Sequence, residues 1–88
     1  MPWKVIVAAP AERSLAKLTE AVAAAIVEFM LGPLVDTPTT VGKPLQRELK
    51  GYRSARRGSY RVIYRLDEDR HEIVVVRIEH RSDVYRRR

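Results

Sequence analysis

The stretch Gly51–Leu66, GYRSARRGSYRVIYRL, decides how this chain folds. Over Tyr60–Leu66 the residues alternate strictly. Tyr60, Val62, Tyr64 and Leu66 fall on one side, and Arg61, Ile63 and Arg65 on the other, which is the period of a β-strand. The arm before it, Tyr52–Arg57, carries Arg53, Arg56 and Arg57, and Gly58-Ser59 supplies a tight turn. The stretch therefore predicts a hairpin with one apolar face to bury and one arginine-bearing face.

The flanking segments must cover the apolar face. Downstream, a polar turn at Asp67–Arg70 leads into a strand over Glu72–Ile78. Simple alternation sets Val74, Val76, Ile78 and His80 on one face and Ile73, Val75, Arg77 and Glu79 on the other; apolar residues on both faces predict an internal strand. Upstream, Trp3–Ala8 alternates as a first strand. Helices are predicted near Pro10–Lys17 and Thr19–Leu31, with proline suited to the first turn and Thr19 as N-cap of the second helix. Val22, Ile26, Phe29 and Met30 form its apolar stripe, and Gly32-Pro33 ends it. Residues 33–50 are a long connection in which Pro38 and Pro44 argue against a central strand, while Leu45 and Leu49 offer a helical turn to the core. Ser82–Arg88 reads as a short helix or a tail. The predicted fold is α+β: strand, helix, helix, then three strands. It forms one domain over residues 1–88, an antiparallel meander with a helical hairpin on one face. The other face, with Arg61 and Arg65, is expected to be open.

Composition narrows the partners. The net charge is +6, but residues 1–42 sum to −1 and residues 43–88 to +7. A positive surface focused in one half points to a polyanion, against the plainer reading of a solvated basic face. There is no cysteine, so no disulfide frame and no cysteine nucleophile or zinc ligand. The apolar run Val5–Ala9 is too short for a secretory core or a membrane span. A cytoplasmic protein without a membrane role is expected.

Several chemistries fail on the residues available. No nucleophile elbow surrounds Ser59 or Ser82. The two histidines, His71 and His80, are too few for a histidine-built metal site. No carboxylate pair sits in an apolar setting that would tune it for glycosidase-like work. His71, in the acidic turn DEDRHE, reads as a solvated loop residue. What survives is arginine, histidine and tyrosine on adjacent strands. Cleavage of RNA by its own 2′-hydroxyl needs a base, an acid and a cation for the phosphorane. Arginine suits the last role because its planar fork stays charged and bonds two oxygens. Each residue also has a plainer use. The hairpin arginines can blunt a sheet edge, and the tyrosines can be core aromatics. The parity of His80 turns it toward the helices unless a bulge re-aims it.

Three segments, VGKPLQREL at Val41–Leu49, GYRSARRGSYRVIYRL at Gly51–Leu66 and VVVRIEHRSDVY at Val74–Tyr85, together resemble the RelE/ParE superfamily of bacterial toxins, and within it the RelE branch. The resemblance spans the chain and implies the RelE-like fold. It also implies a ribosome-dependent mRNA endonuclease that uses no metal or other cofactor and acts as the toxin of a type II toxin–antitoxin pair. By the same resemblance Arg61 matches the arginine at the scissile phosphate and Tyr85 the terminal tyrosine. His80 stands in for a C-terminal histidine base, with Arg81 beside it. Arg53 and Arg57 are the nearest matches to basic residues that bind phosphate or act in proton transfer; with Arg56 and Arg65 of the same basic hairpin they make up the candidate RNA-binding residues. A lysine of some members is Ala55 here, and an arginine near their chain end is Glu79. The implied partners are an acidic RelB-like antitoxin, the ribosome and its mRNA, with operator DNA reached only through the antitoxin.

Two rival readings stay open. The ParE branch shares the fold but poisons DNA gyrase, and it generally lacks the terminal H-R-x-D-V-Y pattern. A non-catalytic nucleic-acid-binding adaptor would use the basic sheet for affinity alone, with strong salt dependence and no cleavage.

Overall fold

The structure, a computed structural model, describes residues 3–80. Its elements are β1 (Lys4–Val7), α1 (Ala9–Ala16), α2 (Glu20–Leu31), α3 (Pro33–Asp36), β2 (Lys43–Pro44), a 3-10 turn at Arg47–Leu49, β3 (Arg53–Arg57), β4 (Tyr60–Asp67) and β5 (Glu72–His80). The strands form one sheet in the order β1-β5-β4-β3-β2. The hairpin of β3 and β4 turns at Gly58, whose φ of 62° is the left-handed conformation that glycine adopts without a steric cost.

The sheet corrects the expected meander in one respect. Strands β2 to β5 are antiparallel neighbours, but β1 lies parallel to β5, with Lys4 opposite Glu72 and Val7 opposite Val75. Alternation says which way side chains point; it carries no information about a strand's neighbour or direction. A consequence appears at His71. It takes a φ of 57° and stacks on Trp3 with ring centroids 3.9 Å apart, while its carbonyl accepts from the Lys4 amide at 3.0 Å. It therefore fastens the first strand to the turn before the last, and is half-buried rather than a solvated loop residue.

The helices lie over one face. In α2, Ile26, Phe29 and Met30 are buried at helical spacing, and the Thr19 hydroxyl accepts from the Val22 amide at 3.3 Å, the expected N-cap. The short α3 was not anticipated. It places Leu34, fully buried, and four residues are too few to show a period. α1 lies closest to β5 and α2 closest to α3, so the pair is not the tight helical hairpin expected. The core under them joins Ala11, Ile26, Phe29, Met30 and Leu34 to Ala55, Val62, Tyr64, Ile73, Val75 and Ile78 of the sheet.

The inclusion of Ile73 and Val75 with Ile78 departs from simple alternation. Tyr64 pairs with Val75, but Ile63 pairs with Arg77, so Val76 is an extra residue in β5. This bulge reverses the parity midway along the strand. Ile73, Val75, Ile78 and His80 share the helix side, and Val74, Arg77 and Glu79 share the outer side.

The long connection before the hairpin is held by two side chains. The buried Tyr64 hydroxyl donates to the Pro38 carbonyl at 2.6 Å. Arg53, directly opposite Tyr64 in the ladder, donates to the Thr39 and Gly42 carbonyls at 2.8 and 2.9 Å. A Cβ on Gly42 would collide with the Tyr64 hydroxyl and lie 3.1 Å from the Ser54 carbonyl. Burial raises the Tyr64 phenol above its ordinary value of 10.0, and the adjoining Arg53 guanidinium partly offsets this. The folded chain thus keeps this proton at a pH where the unfolded chain has lost it. The contribution to stability is complete below pH 10 and lost as pH rises through the folded value.

Two outcomes follow for urea unfolding. Tyr64→Phe should cost about 1–3 kcal/mol at neutral pH, since it leaves a buried carbonyl without its donor, and should flatten the loss of stability above pH 10. Gly42→Ala should destabilise by about 1–3 kcal/mol through overpacking. Wild-type midpoints for either variant would remove this contact from the account.

Candidate functional site

The outer face of the sheet gathers the charged residues into rows. Ladder register sets Arg56 of β3, Arg61 of β4 and Glu79 of β5 side by side. The neighbouring row is Ser54, Ile63 and Arg77. Two arginines directly opposite each other repel, and Glu79 answers that repulsion. Its side chain is only 10% exposed, with one carboxylate oxygen 3.7 Å from the Arg61 guanidinium and the other 3.0 Å from that of Arg77. The second contact is a hydrogen bond; the first is an ion pair too long to be one. Arg61 is partly exposed, at 29%, and its Nε has no hydrogen-bond partner among the described residues.

This face is less open than alternation implied. Ile63 points outward yet is 2% exposed. It lies in a cleft of about 380 Å³ whose walls include Pro10, Leu49, Tyr52 and Arg77. The anticipated turn near Leu49 exists, but it folds over the outer face beside Ile63 instead of joining the main core.

The residues expected to act together divide between the faces. Arg56, Arg61 and Arg65 stand on the outer side, with Arg65 opposite Val74 and exposed. Arg57, Tyr60 and His80 stand on the helix side. Tyr60 and His80 meet edge to face with centroids 4.9 Å apart. Arg57 and Tyr60 line a groove against Ala21, Val22, Ala25 and Ile26 of α2. Arg61 and His80 are thus on adjacent strands and at the same end of the sheet, but they do not share a face. Arg53 is also on the helix side, and its guanidinium is bonded to loop carbonyls. Arg81 and Tyr85 lie outside the described residues. Sequence reading did not find the partnership of Arg61 with Glu79 and Arg77. The shared parity of Arg77 and Glu79 was visible, but their alignment with Arg61 depends on the bulge at Val76.

The chain is similar to known toxins. The model of the ParE toxin of type II toxin–antitoxin systems matches residues 5–85. The sequence is 49% identical to toxin RelG of Mycobacterium tuberculosis over 87 residues, covering 99% of this chain and 100% of the relative. It is 47% identical to toxin RelE of the same organism over 85 residues, covering 97% of this chain and 88% of the relative. Among solved structures, the RelBE2 toxin–antitoxin complex of M. tuberculosis has a chain 47% identical that superposes with a TM-score of 0.87, over 92% of this chain and 100% of that one. A double arginine-to-alanine mutant of the Escherichia coli toxin RelE, in the free state, shares the fold at 18% identity, with a TM-score of 0.75 over 97% of this chain and 92% of that one. A five-stranded mixed sheet under helices, a basic β3–β4 hairpin and identity near one half across nearly the whole chain lead to one assignment: the chain belongs to the ParE toxin family of type II toxin–antitoxin systems, in the RelE/ParE superfamily.

Proposed function

We propose that this toxin is a RelE-type endoribonuclease that cuts mRNA on the ribosome and so stops translation. The observation that carries the reading is the position of Arg61: it stands on the outer face of an internal strand, half-ordered by Glu79, with Arg56 beside it. In the reaction a 2′-hydroxyl attacks the neighbouring phosphate. The 5′-oxygen leaves with a proton, and a 2′,3′-cyclic phosphate forms. Negative charge builds on the phosphorane, so a guanidinium held beside it is worth more there than in the ground state. Arg61 supplies that charge, and Arg56 and Arg65 hold flanking phosphates from the same face. Proton transfer falls to the chain-end residues Arg81 and Tyr85, as the resemblance to RelE implies, whereas His80 faces the helix side and does not share the face of Arg61; no step calls for a metal. Arg57 contacts RNA, if at all, from the rim of the hairpin. Arg53 reads better as a brace for the loop.

The partner follows from the charge and the relatives. The RelBE2 structure is of a toxin–antitoxin complex, and a chain of net charge +6 suits an acidic antitoxin that covers the basic sheet and reads operator DNA itself. The place of action is the cytoplasm, where the ribosomes are.

The test is cleavage of mRNA on programmed ribosomes, followed by primer extension. Arg61→Ala should lower the cleavage rate by about 10²–10³, the usual cost of losing one preorganised contact to a developing charge. Unfolding free energy should move by about 0.5–1 kcal/mol, because Glu79 keeps its bond to Arg77. A folded Arg61→Ala chain that cuts at the wild-type rate would remove Arg61 from the mechanism. A wild-type chain that cuts no mRNA but blocks gyrase supercoiling would replace this reading with the ParE one.

A further inference from the structure

We propose that Arg77 is a further RNA-phosphate ligand of the site, and that Glu79 is a positioning residue that joins Arg77 and Arg61 into one two-pronged anion site. The inference rests on the ribonuclease reading. It adds to that reading two residues that neither the resemblance nor the comparisons assign.

The argument begins with register. Arg77 and Glu79 are two apart in β5, so both point outward, and Glu79 lies directly opposite Arg61. The buried carboxylate touches both guanidiniums, one through each oxygen, at 3.0 and 3.7 Å. An ion bridge of this kind fixes two long side chains whose charges would otherwise drive them apart. The two neighbouring rows together hold three guanidiniums, Arg56, Arg61 and Arg77, against the Glu79 carboxylate, so this end of the sheet still attracts a polyanion. The Arg77 side chain is 48% exposed. It also borders the cleft over Ile63, where Glu48 adds a further carboxylate to the wall.

A carboxylate near bound phosphate would by charge alone weaken RNA binding. Its value therefore lies in geometry, and the two effects separate in kinetics. Glu79→Gln keeps the shape and removes the charge. With kcat and KM measured on programmed ribosomes, it should lower kcat about ten-fold, the scale of a modest misplacement of a reacting partner, while KM stays level or falls. Glu79→Asp, which keeps the charge at a shorter reach, should recover part of the lost kcat. Arg77→Gln should raise KM about three-fold and reduce the salt dependence of binding by about one phosphate contact.

A Glu79→Gln chain with wild-type kcat, or one in which KM rises while kcat holds, would overturn the positioning role. Should Glu79→Gln fail to fold by circular dichroism, Arg77→Gln decides the proposal: unchanged KM and unchanged salt slope would overturn it. The failure of the ribonuclease reading looks different, since the wild-type chain would then cut nothing.

Discussion

The extra residue at Val76 is the constraint on which the functional face depends. The ladder between β4 and β5 begins with Asp67 opposite Glu72 and runs regularly to Tyr64 opposite Val75. Continued without interruption, that register would place Arg61 opposite Ile78 and turn Ile78 outward. With one residue set aside, Ile78 enters the core opposite Val62, Glu79 meets Arg61, and His80 meets Tyr60. A β-bulge costs local hydrogen bonding and adds twist. Here it lets one strand bury Ile73, Val75 and Ile78 on one side and still present Arg77 and Glu79 on the other.

The rest of the frame keeps that strand pair in place. On the helix side, Val62 and Tyr64 are buried under α2 and α3. Tyr64 and Arg53 then reach past the sheet edge to hold the loop at Pro38, Thr39 and Gly42. At the far edge β1 pairs with the first half of β5, and the Trp3–His71 stack closes that end. Both supports act on β4 and β5 from the helix side or from the edges. On the outer face the Glu79 carboxylate relieves the mutual repulsion of Arg61 and Arg77.

Much of this was legible in the chain itself. The strict alternation of Tyr60–Leu66, the turn at Gly58-Ser59, the cap at Thr19 and the stop at Gly32-Pro33 are local signals, and the structure follows them. Arg61 was correctly placed on the outer face because a strand's period fixes side-chain direction. What was not legible depended on partners distant in sequence. Parallel pairing of β1 is a choice of neighbour. The bulge at Val76 is hidden in a run, Ile73–Val76, where every residue is apolar and parity cannot be read. Alternation puts Arg53 and Arg56 on opposite faces of β3, but the bracing role of Arg53 depends on a loop distant in sequence, whose carbonyls at Thr39 and Gly42 it bonds. The fold of the site was therefore easier to read than its ionic wiring.

On the proposed reading RNA is handled on the outer face, beside Arg61, and the groove under the hairpin at Tyr60 and His80 is not where the phosphate sits. The most direct test is a structure of the toxin on a ribosome carrying mRNA with a 2′-O-methyl group at the cut position, which blocks attack without changing the backbone. The account predicts the scissile phosphate at hydrogen-bond distance, about 3 Å, from the Arg61 guanidinium, with the Glu79 carboxylate behind it. A phosphate lodged instead on the helix side against Tyr60 and His80, or a toxin that does not occupy the ribosome at all, would contradict it.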